Sequence, residues 1–455
     1  FAGGFIWVFC DEAPKRSDKG GILDSDKSNA PDGVVGPRRE KEGSYYAIRA
    51  QWSPIQLKPL LITDHFDGSF LVTNEYTYTN LDKCRMTYKI RTCETPLKNA
   101  MESGKVIAEG HVQLPAIAPG ETGKARFTLP ASFREGDVLE LEAFDKEGKS
   151  ICNWTYPIRL AKQYFDHKMA QTPMTLEAVQ PATQTATSIE LKSDRVTVTF
   201  DPATGMISRI ISGGTEVPFK DGPVAVGMKM RYEPTLSYVR NSNEGAVYCA
   251  KYKGAADSIV WRLTDKGLLY MDAILLNRAS GGGGFDDAFM DSKVFNLGLT
   301  FSYPEKNCSG MKWMGRGPYR VWKNRIPGTN YGVWHKEYNN TITGESFENL
   351  VYPEFKGYHA NMYWATLESN TTPFTVYSRN DGIFFHVFTP EEPKGRVKDT
   401  MPKFPERDIS FLLDIPAICS FKPIEQQGPN SQPGNIRIKS GDEGLHLNLM
   451  FDFRQ

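Results

Sequence analysis

M-K-W-M-G-R-G-P-Y-R-V-W-K-N-R-I-P-G-T-N-Y-G-V-W, residues 311–334, carries the strongest fold signal in the chain. It holds three of the eight tryptophans, Trp313, Trp322 and Trp334, with four glycines, two prolines and three arginines. Its first half reads as a strand running into a tight loop. Gly315 and Gly317 flank Arg316, and Pro318 then restricts the backbone. Arg316, Arg320 and Arg325 stand among flat rings, where a guanidinium stacks on an aromatic face or forks onto a carboxylate or carbonyl. Two readings are open. The stretch ties parts of a large β domain together, or it lines a sugar site built of tryptophan faces and planar polar groups.

Working outward, the 455 residues allow about three domains. Hydrophobic residues make up 40% and aromatics 12%, enough for large cores. Lys+Arg and Asp+Glu both number 54, so a nucleic-acid binder or an anionic-membrane binder, which needs a basic excess, is not expected. No apolar run approaches the roughly 20 residues that cross a bilayer. Phe1 in place of a methionine predicts that something upstream has been lost or removed. Seven cysteines leave at least one without an internal partner, and none forms C-x-x-C. Cys84 and Cys93 are spaced either to pair across a hairpin or to remain free, half-buried thiols. N-x-S/T sequons begin at Asn153, Asn307, Asn339 and Asn370. The compartment stays open, with a periplasmic or secreted location preferred to a cytoplasmic one.

Residues 1–12, F-A-G-G-F-I-W-V-F-C-D-E, read as a strand buried on both faces, as in parallel sheets. Functional groups gather at the C-terminal ends of such strands, which makes Trp7, Asp11 and Glu12 candidates. Residues 13–43 form a long polar loop. Residues 44–56 are helix-permissive and stop at Pro54. From Ile55 to Leu160 the pattern alternates, with Phe70, Val72, Asn74, Tyr76 and Tyr78 on one face of a strand and Met86, Tyr88 and Ile90 on the next. Short strands at this spacing predict an immunoglobulin-like sandwich, with His111 on a strand surface. Residues 161–187 show no period of 2 and read as a linker. Strands then recur to Phe453, with no convincing helix, as one large antiparallel sandwich. Gly281–Gly284 lacks the lysine-serine signature of a phosphate loop and reads as a hairpin loop. Residues 390–407 and 423–434 read as surface loops.

Four pieces, in this order, resemble the C-terminal part of glycoside hydrolase family 2 enzymes, the β-galactosidase group. G-G-F-I-W (3–7) is similar to the last barrel strand. D-R-V-T-V-T-F-D-P-A-T-G (194–205), followed by S-R-I-I-S-G-G-T-E, is similar to the opening of the last domain. M-G-R-G-P-Y-R-V-W-K-N-R-I-P-G-T-N-Y-G (314–332) resembles the G-R-G-P signature. Y-P-E-F-K-G-Y-H-A-N-M-Y-W-A-T-L (352–367) resembles the later Y-P-Q-E-x-G segment. The resemblance covers essentially the whole chain and is most specific at G-R-G-P. It implies a mostly β protein: the end of a TIM barrel, then an immunoglobulin-like sandwich, then a galactose-mutarotase-like supersandwich. The terminal strand, loop and last helix of the barrel would take 1–54, the first sandwich 55–165, a linker 166–187, and the last sandwich 188–455.

The resemblance also implies a function. Such enzymes cleave terminal β-linked sugars with retention, using two glutamates about 5–5.5 Å apart on earlier barrel strands. Both would lie before Phe1, so this chain is expected to hold no catalytic residue and to need a barrel as partner. Trp7 matches the aromatic residue at the floor of the sugar pocket. Asp32, in P-D-G-V-V, corresponds to an asparagine near a bound sodium; any Mg2+ or Na+ would be held mainly by the missing part. His386, in F-F-H-V-F, either faces the pocket or packs inside its strand. The family's W-D-W-V-D is here Trp7-Val8-Phe9-Cys10-Asp11, which keeps only Trp7 and Asp11 and puts galactose specificity in doubt. Glu354 replaces the glutamine of Y-P-Q-E, and Phe355 replaces the acid after it. The expected partners are an oligosaccharide or glycan, the barrel, and a second copy of the chain. The competing expectation is a carbohydrate-binding or scaffolding sandwich without chemistry of its own.

Overall fold

The computed structural model describes residues 5–26, 31–97, 104–227, 230–254, 256–275, 296–342, 344–391, 404–418 and 444–454. Gly281–Gly284, residues 423–434 and most of 390–407 lie outside them.

The alternating region forms the first sandwich. One sheet has the order Ile55–Leu57, Ser69–Asn74, Thr122–Arg126; the other has the order Val106–Val112, Arg85–Arg91, Val138–Phe144, Ser150–Pro157. Period 2 does the sorting. Phe70 and Val72 turn inward while Leu71 points out, and Met86, Tyr88 and Ile90 meet Leu139, Leu141 and Phe127 in one core. The strand predicted to reach Tyr78 ends at Asn74. There the buried Asn74 amide donates to the carbonyls of Thr79 and Ile117, so its side chain builds a turn instead of extending the ladder. Tyr78 is then solvent-exposed. His111 is exposed on its strand. Cys84 and Cys93 are both free, so the hairpin bridge does not form.

Two helices hold this sandwich to the rest of the chain. The first, α1 (Gly43–Gln51), lies where helix-permissive residues were read. The second, α2 (Ala161–Ala170), corrects the linker expectation. Its stripe of Ala161, Tyr164, Phe165 and Lys168 has helical spacing and is buried. Gln163 reaches back to accept from the Leu160 N–H, which satisfies one of the free donors at the helix start. Tyr164 and Phe165 pack with Trp364, Tyr363 and Tyr377, so the helix is set by tertiary contacts more than by its own propensity.

The last region is built from three sheets around one core. A five-stranded sheet runs Thr183–Gln184, Ile189–Lys192, Val196–Phe200, Ile207–Ser212, Thr215–Val217. A second runs Lys220–Val226, Leu297–Ser302, Ile409–Asp414, Phe384–Val387, Gly357–His359. The nine-stranded sheet runs Met230–Ser242, Gly245–Gly254, Ala256–Leu263, Leu268–Leu275, Leu445–Asp452, Phe374–Ser378, Trp364–Ser369, Cys308–Gly317, Asn330–Glu337. Every pairing in these sheets is antiparallel. Phe200 meets Trp261 at 5.5 Å and Phe411 meets Phe451 at 6.0 Å, joining each small sheet to the large one. The turn D-P-A-T-G closes on Gly205, whose φ of 73° and contact with Tyr252 Oη leave no room for a side chain.

Phe5–Phe9 is not a buried strand. Phe5, Ile6, Trp7 and Phe9 are exposed, and the segment's ladder contact is an isolated parallel bridge from Cys10 to Val35. No neighbouring strand among the described residues covers these side chains.

Candidate functional site

The G-R-G-P stretch is structural. Trp313 is fully buried, and Trp322 packs on Tyr358 and Phe404. The half-buried Trp334 donates from Nε1 to the Gly315 carbonyl at 3.1 Å. Arg316 lies 4.6 Å over the Tyr331 ring and donates to the Thr329 carbonyl. These placements answer to the tying role, not to a row of open rings for sugar.

What the stretch ties is the amino-terminal segment. Tyr319 stacks on Tyr46 of α1 at 5.4 Å, and Arg325 donates to Ser44 Oγ at 2.7 Å. Gly328 closes against the Tyr46 carbonyl. Arg38 pairs with Glu348, and Ser25 Oγ donates to the Gly344 carbonyl. On its other side α1 reaches the first sandwich, where Arg49 donates to the Ile151 carbonyl and Ser150 Oγ.

At the centre of this junction sits Asp11, 5% exposed. Its N–H donates to the Val35 carbonyl, and its Oδ1 accepts from the Gly33 N–H at 2.7 Å. Oδ2 is sealed from solvent and has no donor. Glu42 Oε1, at the start of α1, is also sealed from solvent, and Tyr352 Oη lies against the Glu42 carboxyl. Burial, above all, pushes the Asp11 carboxyl up to about 6, helped by the charges of Asp32 and Glu40. Burial pushes Glu42 up to about 8, aided by the charges of Asp11 and Glu354. Behind them Arg320 holds Glu354 at 3.0 Å, and the buried Lys336 ammonium is pushed down to about 7, against the pull of Glu354.

The other sequence candidates fall elsewhere. Trp7 is 85% exposed and does not share Asp11's enclosure. Asp32 is exposed beside Gly33, with its carboxyl raised by burial and by Glu12. Among the described residues no group of three or more His, Cys, Asp or Glu side chains could hold a metal ion, so no ligand set gathers around Asp32. His386 is fully buried in Phe384–Val387, against Tyr358 and Phe404, with Nδ1 on Ser410 Oγ at 3.2 Å. Burial drives its imidazole down to about 3, so it is held neutral inside the sandwich and faces no open cleft. Of the four candidates, Asp11 is the buried member of a cluster of charged groups, and Asp32 is near enough for its charge to raise the Asp11 carboxyl. Glu42, Tyr352 and Lys336 were not anticipated. The signal available for Glu42 was its place just before a helix-permissive run.

The family model for β-galactosidase domain 4 matches residues 70–154, which is the first sandwich from its second strand into its last. The first sandwich is therefore similar to β-galactosidase domain 4. No curated protein matches the chain. Among solved structures, a galactose mutarotase-like protein from Lactobacillus casei aligns over 58% of this chain and 98% of its own, at 11% identity and a TM-score of 0.29. An exo-chitosanase from Amycolatopsis orientalis aligns over 54% of this chain at 13% identity and a TM-score of 0.15. That match spans 28% of the exo-chitosanase.

Proposed function

We propose that this chain is the sandwich-bearing portion of a retaining, family 2, β-galactosidase-like glycosidase acting on terminal β-linked sugars. Its sandwiches support a catalytic barrel and shape the substrate cleft. The observation that carries this reading is the β-galactosidase domain 4 match at residues 70–154. The open apolar run Phe5, Ile6, Trp7 and Phe9 supports it, as a face that barrel strands would cover. In this reading the barrel supplies both catalytic glutamates and most of any Mg2+ or Na+ site. Trp7 and Asp11 contribute to the sugar pocket, and Asp32 borders the cation. The glycan is the substrate, copies of the chain associate, and the compartment is periplasmic or extracellular.

The test is to express the 455 residues alone and fused to the barrel encoded upstream, then assay aryl-β-glycosides. The fusion hydrolyses them with retention of anomeric configuration, and the chain alone does not. Turnover by the isolated chain, or an upstream frame with no barrel, overturns the reading. Glycan binding by both forms with hydrolysis by neither would leave a binding sandwich.

A further inference from the structure

We propose that the cleft between the first and last sandwiches binds the end of a neutral saccharide, as a non-catalytic site separate from the amino-terminal junction. The proposal does not rest on the glycosidase reading, because it needs neither a barrel nor hydrolysis.

Strand register assembles one wall of the cleft. In the four-stranded sheet Arg91 stands opposite Val138, Glu140 opposite Thr155, and Glu142 opposite Asn153. Leu139 and Leu141 turn into the core of the first sandwich, so the residues that alternate with them turn the other way. Arg91, Val138, Glu140, Asn153 and Thr155 therefore share the outer face. The opposing wall is Asn330–Glu337, the edge strand of the nine-stranded sheet. Between them lies a cleft of about 350 Å³. Two bonds span it: the Tyr331 N–H donates to Thr155 Oγ1 at 2.7 Å, and Lys312 donates to Glu94 at 2.6 Å. Val138 and Tyr331 also share one buried cluster. The walls are thus fixed against each other before any ligand arrives, and the volume suits one or two sugar rings.

The polar groups on these walls are only partly spent. Arg91 donates from Nε to Glu140 Oε2 at 2.8 Å. Its Nη groups and Glu140 Oε1 have no partner among the described residues. Asn330 Oδ1 accepts from Thr155, which leaves its Nδ2 to donate. The half-buried Asn153 amide has no bond to another described residue. Val333 and Trp334, both half-buried, add apolar surface. An anion entering here would meet two carboxylates, Glu94 and Glu140. A cation would meet Arg91, and no group of three metal-ligating side chains forms among the described residues. A neutral ligand whose hydroxyls both donate and accept, and whose C–H face is apolar, uses all of these groups at once.

The experiment is isothermal titration calorimetry on the full 455-residue chain. Galactose, lactose, cellobiose and mannobiose are the neutral probes; galacturonate and glucosamine are the charged ones. At least one neutral probe binds, and each charged probe binds about tenfold more weakly or not at all. Asn153→Leu and Arg91→Met each weaken the neutral probe about tenfold, and either carries the test if the other folds poorly. Trp52→Ala, which removes an exposed ring outside the cleft, leaves binding unchanged. Bound saccharide slows amide exchange in peptides covering residues 153–155 and 330–334. The proposal is overturned if no neutral probe binds, if galacturonate binds more tightly than the neutral probes, if both cleft variants bind as the wild type does, or if protection falls on residues 5–12 instead.

Discussion

Lys168 of α2 donates from Nζ to Asp137 Oδ2 at 2.8 Å, and both side chains are buried. Asp137 also accepts from the Cys93 N–H at 2.7 Å and from Arg159 at 3.4 Å. The helix is thereby pinned to the first sandwich by a charge that cannot reach water. Lys168→Met leaves that carboxylate short of its closest cation and should cost roughly 3 kcal/mol, read from urea midpoints. Asp137→Asn with Lys168→Met should cost less than the two single changes added together.

Gly328 has φ of 91°, and a side chain there would meet the Tyr46 carbonyl oxygen at 2.3 Å. Gly328→Ala should push α1 off the G-R-G-P stretch, at about 1–3 kcal/mol. Faster exchange confined to residues 43–51, with the core of the first sandwich unchanged, is the expected readout.

His386 gives the acid limb of stability. Its folded value of about 3 lies below its ordinary 6.5, so the unfolded chain takes up the proton first. Stability from this residue is complete above 6.5 and falls as pH drops toward 3. His359, also held near 3 by burial, adds to the same limb. His386→Gln should flatten the decline in melting temperature with acidification and leave the alkaline side unchanged.

Phe5, Trp7 and Phe9 form an open apolar run on the chain by itself. Replacing Phe5 and Phe9 by serine should reduce concentration-dependent self-association in sedimentation velocity, with no loss of melting temperature. A fall in melting temperature would mean that these rings are packed.

The two sandwiches were legible because their strands alternate and end at turn residues. Phe70 and Val72, or Val196, Val198 and Phe200, declare their inward face without help from neighbours. α2 was hidden because Lys162, Gln163 and Lys168 make it look polar. Its stripe makes sense only with Trp364 and Tyr377 in place, about 200 residues further on. The run at Phe5–Phe9 misled in the opposite direction, since apolar composition specifies what a segment can bury and not that a partner is present. The Asp11 cluster was half visible. Asp11 was singled out, but Glu42 comes from the start of α1 and Tyr352 from more than 300 residues further on, and no local spacing encodes that meeting.

Leu445–Asp452 lies in the middle of the nine-stranded sheet, paired with Leu268–Leu275 on one side and Phe374–Ser378 on the other. A ribosome therefore finishes both flanks before it makes the piece that joins them. Until then each flank shows the cell a raw row of amides and carbonyls, the kind of surface that chaperones hold and aggregates recruit. A stop codon at Leu445 would not trim a tail; it would leave the largest sheet split down its middle.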